Sequence, residues 1–323
     1  MSKQIYITRK IPESGLKLLR EKGILFDIGT SKGAPTKKDI IKELKKKPYD
    51  GVIAFLTDII DKEVFNACPT AKIFANFSVG YDNVNIEDAK ACNVFITNTP
   101  GTSSTAVAEH TVALMLALTT RLVEADEFMR EGKYKGWDPD IFIGTDMKGK
   151  KIGLIGAGQI GTEVAKILHY GFGSSIIYSD VSPSVELDKI ENTTRMTTEE
   201  VLREADIVSL HVPLLPSTRH LINTESLKTM KKTAFLINTS RGPVVDEKAL
   251  VYALENDIIR GAALDVFEFE PKLTKGLIKL PDVIITPHIA SARQSARDLM
   301  SEIAAKNIIS VLETGNPINS VIK

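Results

Sequence analysis

The sequence has few cysteines, a single tryptophan and no long apolar run. Its 323 residues contain only Cys68 and Cys92 as cysteines, so no disulfide framework holds the fold and both thiols are expected to be reduced. The longest apolar helical run, VALMLALTT at 112–120, is far shorter than the roughly 20 residues that span a bilayer. No transmembrane helix is therefore expected.

The chain also lacks an excess of charge of either sign. Forty-one Lys and Arg residues balance forty-one Asp and Glu residues, which argues against nucleic acid or a membrane surface as a partner. The Lys-rich segment KELKKKP at 42–48 is interpreted as a solvated helix face and its end. The opening residues, MSKQIYITRK, lack the apolar core and cleavage site of a signal peptide. A cytoplasmic protein without a metal site is expected.

A chain of this length exceeds the usual size of one hydrophobic core, so two domains are expected. Up to about residue 100, short strand-like runs alternate with helical segments, which indicates a parallel sheet with helices on both faces. The predicted strands are IYIT, ILFDIG, GVIAFL, KIFANF and NVFITN, and the predicted helices are ESGLKLLREKG, 36–46 and DKEVFNAC.

Beyond residue 100 the pattern changes and then resumes. The segment TPGTSSTAVAEHTVALMLALTTRLVEADEFMREG is predicted as turn residues followed by one long helix. Six near-continuous apolar runs follow, which is typical of central strands buried on both faces of a sheet: KIGLIG, SIIYSD, DIVSLHV, TAFLINT, AALDVF and VIITPHI. A last helical stretch, ARDLMSEIAAKNIISVLETG, ends the chain. The predicted fold is α/β, with two doubly wound parallel sheets, one domain at 101–289 and the other formed by 1–100 and 290–323.

A glycine-rich turn opens the second domain. The segment KIGLIGAGQIG carries Gly156, Gly158 and Gly161 in the spacing G-x-G-x-x-G, after a predicted strand and before the helical stretch TEVAKILHYG. In that setting the first glycine permits a tight turn, the second lets a pyrophosphate approach and the third lets helix and strand pack together. The alternative is a purely structural turn. The setting favours a dinucleotide site.

The next predicted strand ends at Asp180, nineteen residues after Gly161. A carboxylate there accepts hydrogen bonds from the ribose hydroxyls of NAD and repels the 2′-phosphate of NADP. The segment SDVSPS that contains Asp180 has no arginine to hold such a phosphate. NAD is therefore the predicted cofactor, and NADH is expected to be preferred over NADPH.

Three charged residues stand at the ends of successive predicted strands. Arg241 follows TAFLINTS, Glu270 lies in the loop after AALDVF, and His288 follows VIITP. Ligands of open α/β sheets gather at the carboxyl ends of the strands. Each residue alone is equally explained as a surface arginine, a loop glutamate or a loop histidine. Together, beside a dinucleotide site, they form a candidate catalytic set for hydride transfer.

The chemistry of reducing a 2-oxo acid needs all three residue types. A guanidinium binds the substrate carboxylate in bidentate fashion. The carbonyl oxygen gains a proton as hydride reaches the carbon, and imidazole is a suitable general acid near neutral pH. An adjacent carboxylate stabilises the imidazolium form. Arg241, His288 and Glu270 are the predicted residues for these roles, and the neutral imidazole acts as base in oxidation.

At this point the chain resembles the D-isomer-specific 2-hydroxyacid dehydrogenase family, along nearly its whole length. The blocks that carry the resemblance, in family order, are NFSVGYDNVN, TPGTSSTAVAEHTVALMLAL, GKKIGLIGAGQIG, ADIVSLHVPLLPSTRHLIN, INTSRGPVVDEKAL, ALDVFEFEP and TPHIASA. The resemblance implies a Rossmann dinucleotide-binding domain, a discontinuous flavodoxin-like substrate domain and a cleft between them that closes on binding. It also implies a homodimer formed through the 102–131 helix region.

The resemblance also implies roles for further residues. The main-chain amides of Val79 and Gly80 are expected to hold the substrate carboxylate, Leu56 is expected to border the substrate, and Asp265 is expected near the nicotinamide carboxamide. The cofactor-binding residues implied are Thr105, Gly156, Gly158, Gln159, Ile160, Gly161, Asp180, His211, Val212, Pro213, Thr218, Thr239, Ser240, Arg241, Asp265, His288 and Ala290.

Within the family, the substrate loops look most like those of glyoxylate and hydroxypyruvate reductases. Phosphoglycerate dehydrogenases usually carry arginine in the first-domain loops, and the stretches AFLTDIIDKEVF and NFSVGYDN contain none. Formate dehydrogenases have glutamine where this chain has Glu270, which argues against formate dehydrogenase activity. Lactate or a bulkier 2-oxo acid remains an alternative substrate, because Leu56 and Phe77 suit either pocket. Trp137 is interpreted either as a packing or dimer-contact residue or as a substrate contact in the neighbouring subunit.

Two other functions are compatible with this fold. Some relatives are corepressors that use dinucleotide binding and dimerisation to regulate protein assembly while retaining the catalytic set. A structural dinucleotide-binding domain without chemistry would require the three strand-end residues to be coincidental. Reduction of a small 2-oxo acid by NADH, giving glycolate or D-glycerate, is the predicted function.

Overall fold

The computed structural model describes residues 3–322, and its elements alternate between strands and helices. The strands are β1 (Gln4–Ile7), β2 (Leu25–Ile28), β3 (Gly51–Phe55), β4 (Ile73–Phe77), β5 (Phe95–Thr97), β6 (Lys151–Ile155), β7 (Ser175–Ser179), β8 (Thr193–Arg195), β9 (Ile207–Leu210), β10 (Phe235–Asn238), β11 (Gly261–Leu264) and β12 (Val283–Ile285). The helices are α1 (Glu13–Glu21), α2 (Lys37–Leu44), α3 (Lys62–Ala67), α4 (Ile86–Ala91), α5 (Ser104–Thr119), α6 (Leu122–Arg130), α7 (Gln159–Phe172), α8 (Thr198–Glu204), α9 (Thr224–Thr229), α10 (Glu247–Glu255) and α11 (Gln294–Thr314).

The chain divides into two compact units. Unit 1 comprises Met1–Ser103 and Ala292–Lys323, and unit 2 comprises Ser104–Ser291. Unit 1 is discontinuous in sequence because α11 packs against α1 and β4. The divisions lie close to residues 100 and 290, where the sequence pattern changes.

Unit 1 contains a five-stranded parallel sheet in the order β2-β1-β3-β4-β5. This is the flavodoxin-like order, in which the chain reverses direction between β1 and β3. Apolar side chains cover both faces. One face packs Val52, Phe74 and Leu44 together, and the other packs Ile5 and Ile308.

Unit 2 contains a seven-stranded parallel sheet in the order β12-β11-β10-β9-β6-β7-β8. The reversal between β6 and β9 is the switch point of a Rossmann fold, which is where dinucleotides bind. Separate apolar layers cover the two faces of the sheet, one around Leu154 and Val164 and the other around Val208 and Leu250. The predicted fold class, α/β with two doubly wound parallel sheets, is confirmed.

The edges of the unit 2 sheet differ from the prediction. The run Val283–Ile285 was predicted as a central strand, but β12 is an edge strand and Ile285 is 37% exposed. The opposite edge is β8, which was not predicted. Its residues Thr193–Arg195 are polar and mostly exposed, so they lack the apolar signal of a buried strand.

The predicted long helix after residue 100 is two helices. Helix α5 ends at Thr119 and α6 begins at Leu122, and the two axes differ by 64°. At the break, Arg121 adopts a left-handed conformation with φ of 56°, although neither glycine nor proline marks the position. Among the described residues no single helix has the length and hydropathy of a membrane span; only the bent pair α5–α6, taken together, reaches them.

Gly153 provides a stability test of the unit 2 core. A Cβ at this position in β6 would lie 2.7 Å from side-chain atoms of both Ala205 and Val201, so Gly153→Ala is expected to destabilise the protein by about 1–3 kcal/mol through overpacking. The matched control is Gly171→Ala in α7, where a Cβ meets no heavy atom within 4 Å. That change is expected to be neutral or slightly stabilising, because alanine favours helix. Urea unfolding midpoints measure both, and equal midpoints for the two variants would contradict the packing described.

Candidate functional site

The three residues of the predicted catalytic set follow three adjacent strands of unit 2. Arg241 follows β10, Glu270 follows β11 and His288 follows β12, and those strands are neighbours in the sheet in that order. The Nδ1 atom of His288 lies 3.0 Å from Oε2 of Glu270, and the two side chains are 26% and 30% exposed. The other carboxylate oxygen, Oε1, accepts the main-chain N–H of Phe267 at 2.9 Å. Glu270 and His288 are thus in direct contact, and the carboxylate is fixed.

The buried carboxylate of Asp265 organises the loop that carries His288. Its Oδ1 accepts the Ile289 N–H at 2.8 Å and the Thr286 hydroxyl at 2.6 Å, and its Oδ2 accepts the Ala290 N–H at 2.8 Å. The N–H of His288 donates to the carbonyl of Asp265 at 2.9 Å. His288 itself has a φ of 54°, which non-glycine residues rarely adopt. The hydrogen bonds to Asp265 therefore hold His288 in an unusual conformation.

His110, on α5, contacts the same carboxylate. Its Nε2 lies 3.6 Å from Oδ1 of Asp265 and 3.3 Å from the hydroxyl of Thr286. Burial acts to raise the pKa of Asp265, but the hydrogen bonds that it accepts outweigh burial and lower that pKa. Asp265 is consequently ionised at neutral pH. His110 was not predicted as a site residue, because a lone histidine in an apolar helix carries no distinguishing signal.

Arg241 is held by a turn that the buried Asn238 closes. The Nδ2 of Asn238 donates to the carbonyl of Arg241 at 2.9 Å. Its Oδ1 accepts the N–H of Ser240 at 3.0 Å and the hydroxyl of Ser240 at 2.8 Å. Asn238 was not predicted, although an asparagine at the end of a buried strand is a signal for this kind of local side-chain to main-chain bonding.

The segments that carry Arg241 and Glu270 touch at Gly242. A Cβ at Gly242 would lie only 1.9 Å from the carbonyl carbon and oxygen of Phe267. Only glycine therefore lets the main chain after Arg241 lie against the main chain that precedes Glu270. The contact ties the ends of β10 and β11 together.

A second histidine–carboxylate pair supports the Glu270 loop. His220 Nε2 lies 2.7 Å from Oε1 of Glu268, whose side chain is only 6% exposed. The N–H of Glu268 donates to Oε1 of the buried Glu247 at 2.6 Å. These residues were not predicted, because the pattern of charged residues at strand ends indicates only Glu270 in this loop.

The glycine-rich turn lies between β6 and α7, and its geometry fits a dinucleotide. Gly156 has a φ of 102°, and a Cβ there would lie 2.6 Å from the main chain of His211. A Cβ at Gly161 would lie 2.4 Å from the carbonyl oxygen of Gly156, so α7 packs directly on the turn. At Gly158 a Cβ would meet no heavy atom within 4 Å. This open face at the N-terminus of α7 suits a pyrophosphate.

Asp180 borders this turn. Its Oδ2 accepts the N–H of Ala157 at 2.7 Å, and its Oδ1 accepts the N–H of Ser182 at 3.3 Å. The segment after Asp180 contains no arginine, but β8 brings Arg195 beside it. The Nη2 of Arg195 donates to the main-chain carbonyl of Asp180 at 2.9 Å. The charge around Asp180 is therefore less negative than the local sequence indicates.

His211 lies at the end of β9, against the glycine-rich turn. Its N–H donates to the carbonyl of Ile155 at 2.7 Å, and its Nε2 lies 3.0 Å from the hydroxyl of Ser209. Burial lowers the pKa of His211 to about 4. The ring is consequently neutral at physiological pH and adds no positive charge to the site.

The other predicted cofactor residues occupy the same edge of unit 2. Thr105 and Gln159 lie in the first turns of α5 and α7, and the Ser104 hydroxyl donates to Oε1 of Gln159 at 3.1 Å. Thr218 donates to the carbonyl of Pro213 at 2.6 Å, which closes the loop after β9. The remaining predicted residues lie beside these at the ends of strands or the start of α7: Ile160, Val212, Thr239, Ser240 and Ala290.

In unit 1, the predicted substrate residues follow adjacent strands. Leu56 follows β3, and Val79 and Gly80 follow β4. The carbonyl of Val79 accepts Nδ2 of Asn98 at 2.7 Å, and the carbonyl of Gly80 accepts Nδ2 of Asn76 at 2.8 Å. The turn at 79–80 is therefore fixed through its carbonyl groups. The two asparagines that fix it were not predicted.

Comparison with known proteins identifies the family. A family model described as D-isomer specific 2-hydroxyacid dehydrogenase, NAD binding domain, matches residues 112–290. The glyoxylate reductase of Thermofilum pendens is 44% identical over 317 residues, which cover 97% of this chain and 93% of that protein.

Solved structures give the same result for the fold. The TT0316 protein from Thermus thermophilus has a TM-score of 0.91 at 38% identity, covering 99% of this chain and all of that chain. An NADPH-dependent glyoxylate/hydroxypyruvate reductase from Sinorhizobium meliloti, in complex with NADP and malonate, has a TM-score of 0.84 at 30% identity, covering 99% of this chain and 97% of that chain. With a nicotinamide-dinucleotide-binding domain and relatives that match along its full length, the chain is an oxidoreductase that belongs to the D-isomer specific 2-hydroxyacid dehydrogenase family.

Proposed function

We propose that the protein reduces glyoxylate or hydroxypyruvate with NADH, forming glycolate or D-glycerate. The observation that carries the proposal is the contact between His288 Nδ1 and Glu270 Oε2 at 3.0 Å. Glu270 follows β11, which lies in the sheet between the strand before Arg241 and the strand before His288. The glyoxylate reductase relatives support the choice of a small 2-oxo acid. A lactate-type or bulkier substrate is the alternative.

The residues of the set divide the chemistry between them. Arg241 binds the substrate carboxylate through its planar guanidinium. Because Nδ1 of His288 faces Glu270, Nε2 is the nitrogen that donates a proton to the substrate carbonyl oxygen. Glu270 fixes the orientation of the ring through its contact with Nδ1. The dinucleotide, when bound, supplies the hydride.

Cofactor binding is proposed for the edge of unit 2 around the glycine-rich turn. The open face at Gly158 accepts the pyrophosphate, and Asp180 accepts the ribose hydroxyls, which favours NADH over NADPH. Asp265 is buried, and its role is to hold the 286–290 loop through the hydrogen bonds that it accepts from Ile289 and Ala290. The substrate carboxylate is proposed to be bound as well by the main-chain amides of Val79 and Gly80, with Leu56 beside the substrate.

A homodimer is proposed as the working assembly. Helix α6 has no buried residue in the described chain, and large apolar side chains of α6 and the segment after it are exposed: Leu122, Val123, Met129, Trp137 and Ile143. Trp137 is the most exposed of these five residues, at 83%. An apolar surface of this kind is typical of a protein contact, and the family resemblance favours a second copy of the chain as its partner.

The substrate assignment is tested by initial rates of NADH oxidation. Glyoxylate and hydroxypyruvate are expected to turn over faster than pyruvate and phosphohydroxypyruvate. His288→Asn is expected to lower kcat by about 10²–10⁴-fold while NADH still binds, because the proton donor is lost and most of the proposed cofactor contacts remain. Turnover by the variant close to that of the wild type would remove His288 from the proposed role, and faster reduction of a larger acid would replace the proposed substrate.

Asp265→Asn tests the positioning of His288. The amide has a single acceptor oxygen, so the N–H groups of Ile289 and Ala290 cannot both be satisfied, and kcat is expected to fall by about 10²-fold as the loop shifts. The unfolding free energy is expected to fall by about 1–3 kcal/mol. The matched control is Asp246→Asn, at an α10 N-cap that uses one oxygen only, where neither quantity is expected to change.

The same variant has a pH signature. Because the folded pKa of Asp265 is lowered, its carboxylate stabilises the fold fully above the ordinary pKa of about 3.9, and this contribution is lost as the pH falls through the folded pKa. The difference in unfolding free energy between wild type and Asp265→Asn should therefore shrink only in that acidic range. A difference that is constant from neutral pH to acid would contradict the role of the ionised carboxylate.

The dimer is tested by sedimentation velocity. Wild type is expected at twice the protomer mass, and Ile143→Glu is expected to shift the protein toward monomer, because a charge would be buried in an apolar contact. Tyr170→Glu, on an exposed residue of α7, is the control and should leave the dimer intact. A monomeric wild type, or a dimer that tolerates Ile143→Glu, would rule out this surface.

A further inference from the structure

Strand β8 adds a positive charge to the end of unit 2 where the adenosine ribose is proposed to bind. The strand pairs in parallel with β7, in a register that sets Arg195 opposite Tyr178. Both strands end within one residue of that pair, at the carboxyl edge of the sheet. Arg195 therefore stands beside the residue that follows β7, which is Asp180.

The guanidinium is anchored on Asp180 itself. Its Nη2 donates to the main-chain carbonyl of Asp180 at 2.9 Å, while the Asp180 carboxylate is turned toward the N–H of Ala157 at 2.7 Å. Arg195 is exposed, and Val181, the next residue along the chain, is 99% exposed. The guanidinium thus reaches the solvent-facing side of this turn, and the Val181 side chain does not pack over the turn.

The charge of Arg195 acts on its neighbours. Burial, and after it the hydrogen bond to Asp188, raises the pKa of the Tyr178 hydroxyl, and the positive charge of Arg195 acts against that rise. The Tyr178 hydroxyl also accepts the N–H of Ser184 at 3.0 Å, which fixes the loop after Asp180. A fixed loop whose first residue, Asp180, lies beside the exposed guanidinium of Arg195 is suited to bind an anion.

We infer that Arg195 is a cofactor-specificity residue: its guanidinium binds the 2′-phosphate of a phosphorylated nicotinamide dinucleotide and offsets the repulsion from Asp180, so that the enzyme prefers NADH but also accepts NADPH. The inference rests on the proposed function. Guanidinium pairs with phosphate through charge-assisted hydrogen bonds, whereas a ribose hydroxyl gains little from a cation. Asp180 and Arg195 thus act in opposite directions on the same discrimination.

The experiment is a fluorescence titration of the purified full chain with NADH and, separately, with NADPH, without substrate. The quantity compared is the ratio of the Kd of NADPH to the Kd of NADH. Arg195→Gln is expected to raise that ratio by about fivefold to tenfold, through weaker NADPH binding alone. Arg195→Lys retains the charge and is expected to give a smaller rise. Asp180→Asn is expected to lower the ratio.

Arg203→Gln is the matched control. Arg203 is an exposed arginine on α8 that pairs with Glu199 at 2.5 Å, so the variant makes the same change of charge in the same unit at an arginine paired with Glu199 and not with Asp180. It is expected to leave the ratio unchanged. The effect of Arg195→Gln should also diminish with added salt, because the contact is electrostatic and exposed.

The outcomes separate this inference from the proposal on which it rests. An unchanged ratio in Arg195→Gln overturns the inference, and so does an equal loss of affinity for both cofactors, which would assign Arg195 to the support of the Asp180 turn. A shift of the same size in Arg203→Gln would overturn it too. Wild-type protein that binds neither cofactor would overturn the proposed function, and the inference with it.

Discussion

The hydrogen bonds accepted by the buried carboxylate of Asp265 are the interactions on which the geometry of the site depends. It lies directly after β11, and its own N–H donates to the carbonyl of Asn238 at the end of β10 at 2.9 Å. Its side chain accepts from the loop after β12. A buried charge is tolerated only when it is fully hydrogen-bonded, so Asp265 requires this loop to close around it. Three strand ends are thereby fixed relative to one another.

This arrangement assigns separate tasks to the sheet and to the residues at its edge. Apolar strands position three loops at one carboxyl edge, and buried polar side chains then set the shape of each loop. Asn238 shapes the turn at Arg241, Asp265 shapes the loop at His288, and the N–H of Phe267 fixes Glu270. The left-handed conformation of His288 is maintained because hydrogen bonds on both sides of it determine the path of the main chain.

Much of the fold could be predicted from the sequence. The wrong or missing predictions concern elements whose local residue pattern does not report their position in the fold. Continuous apolar runs identified the central strands, and the glycine spacing identified the turn after β6. The edge strand β8 was missed because its residues are polar, and β12 was wrongly predicted as central because three β-branched residues occur together at an edge. The break at Arg121 has no glycine or proline to indicate it. Arg195 could not be assigned to the site without β8.

The site residues divide in the same way. Residues whose chemistry is specific, such as His288 and Glu270, could be proposed from their type and position. Residues that act by holding others, such as Asn238, His110 and Asn76, were not proposed. The partner of His110, Thr286, is distant in sequence, whereas Asn238 and Asn76 bond to the main chain within four residues. The contact of His110 is tertiary and has no local pattern, and the local pattern of the two asparagines indicates a turn but not which site that turn serves.

We propose that this site reduces a 2-oxo acid to the D-hydroxy acid with NADH as the reductant. The most direct measurement is the chirality of the glycerate formed from hydroxypyruvate and NADH, together with the amount of NADH consumed. We expect D-glycerate alone, with one NADH oxidised for each molecule formed. L-Glycerate, a mixture of both isomers, or NADH that binds without being oxidised would contradict it.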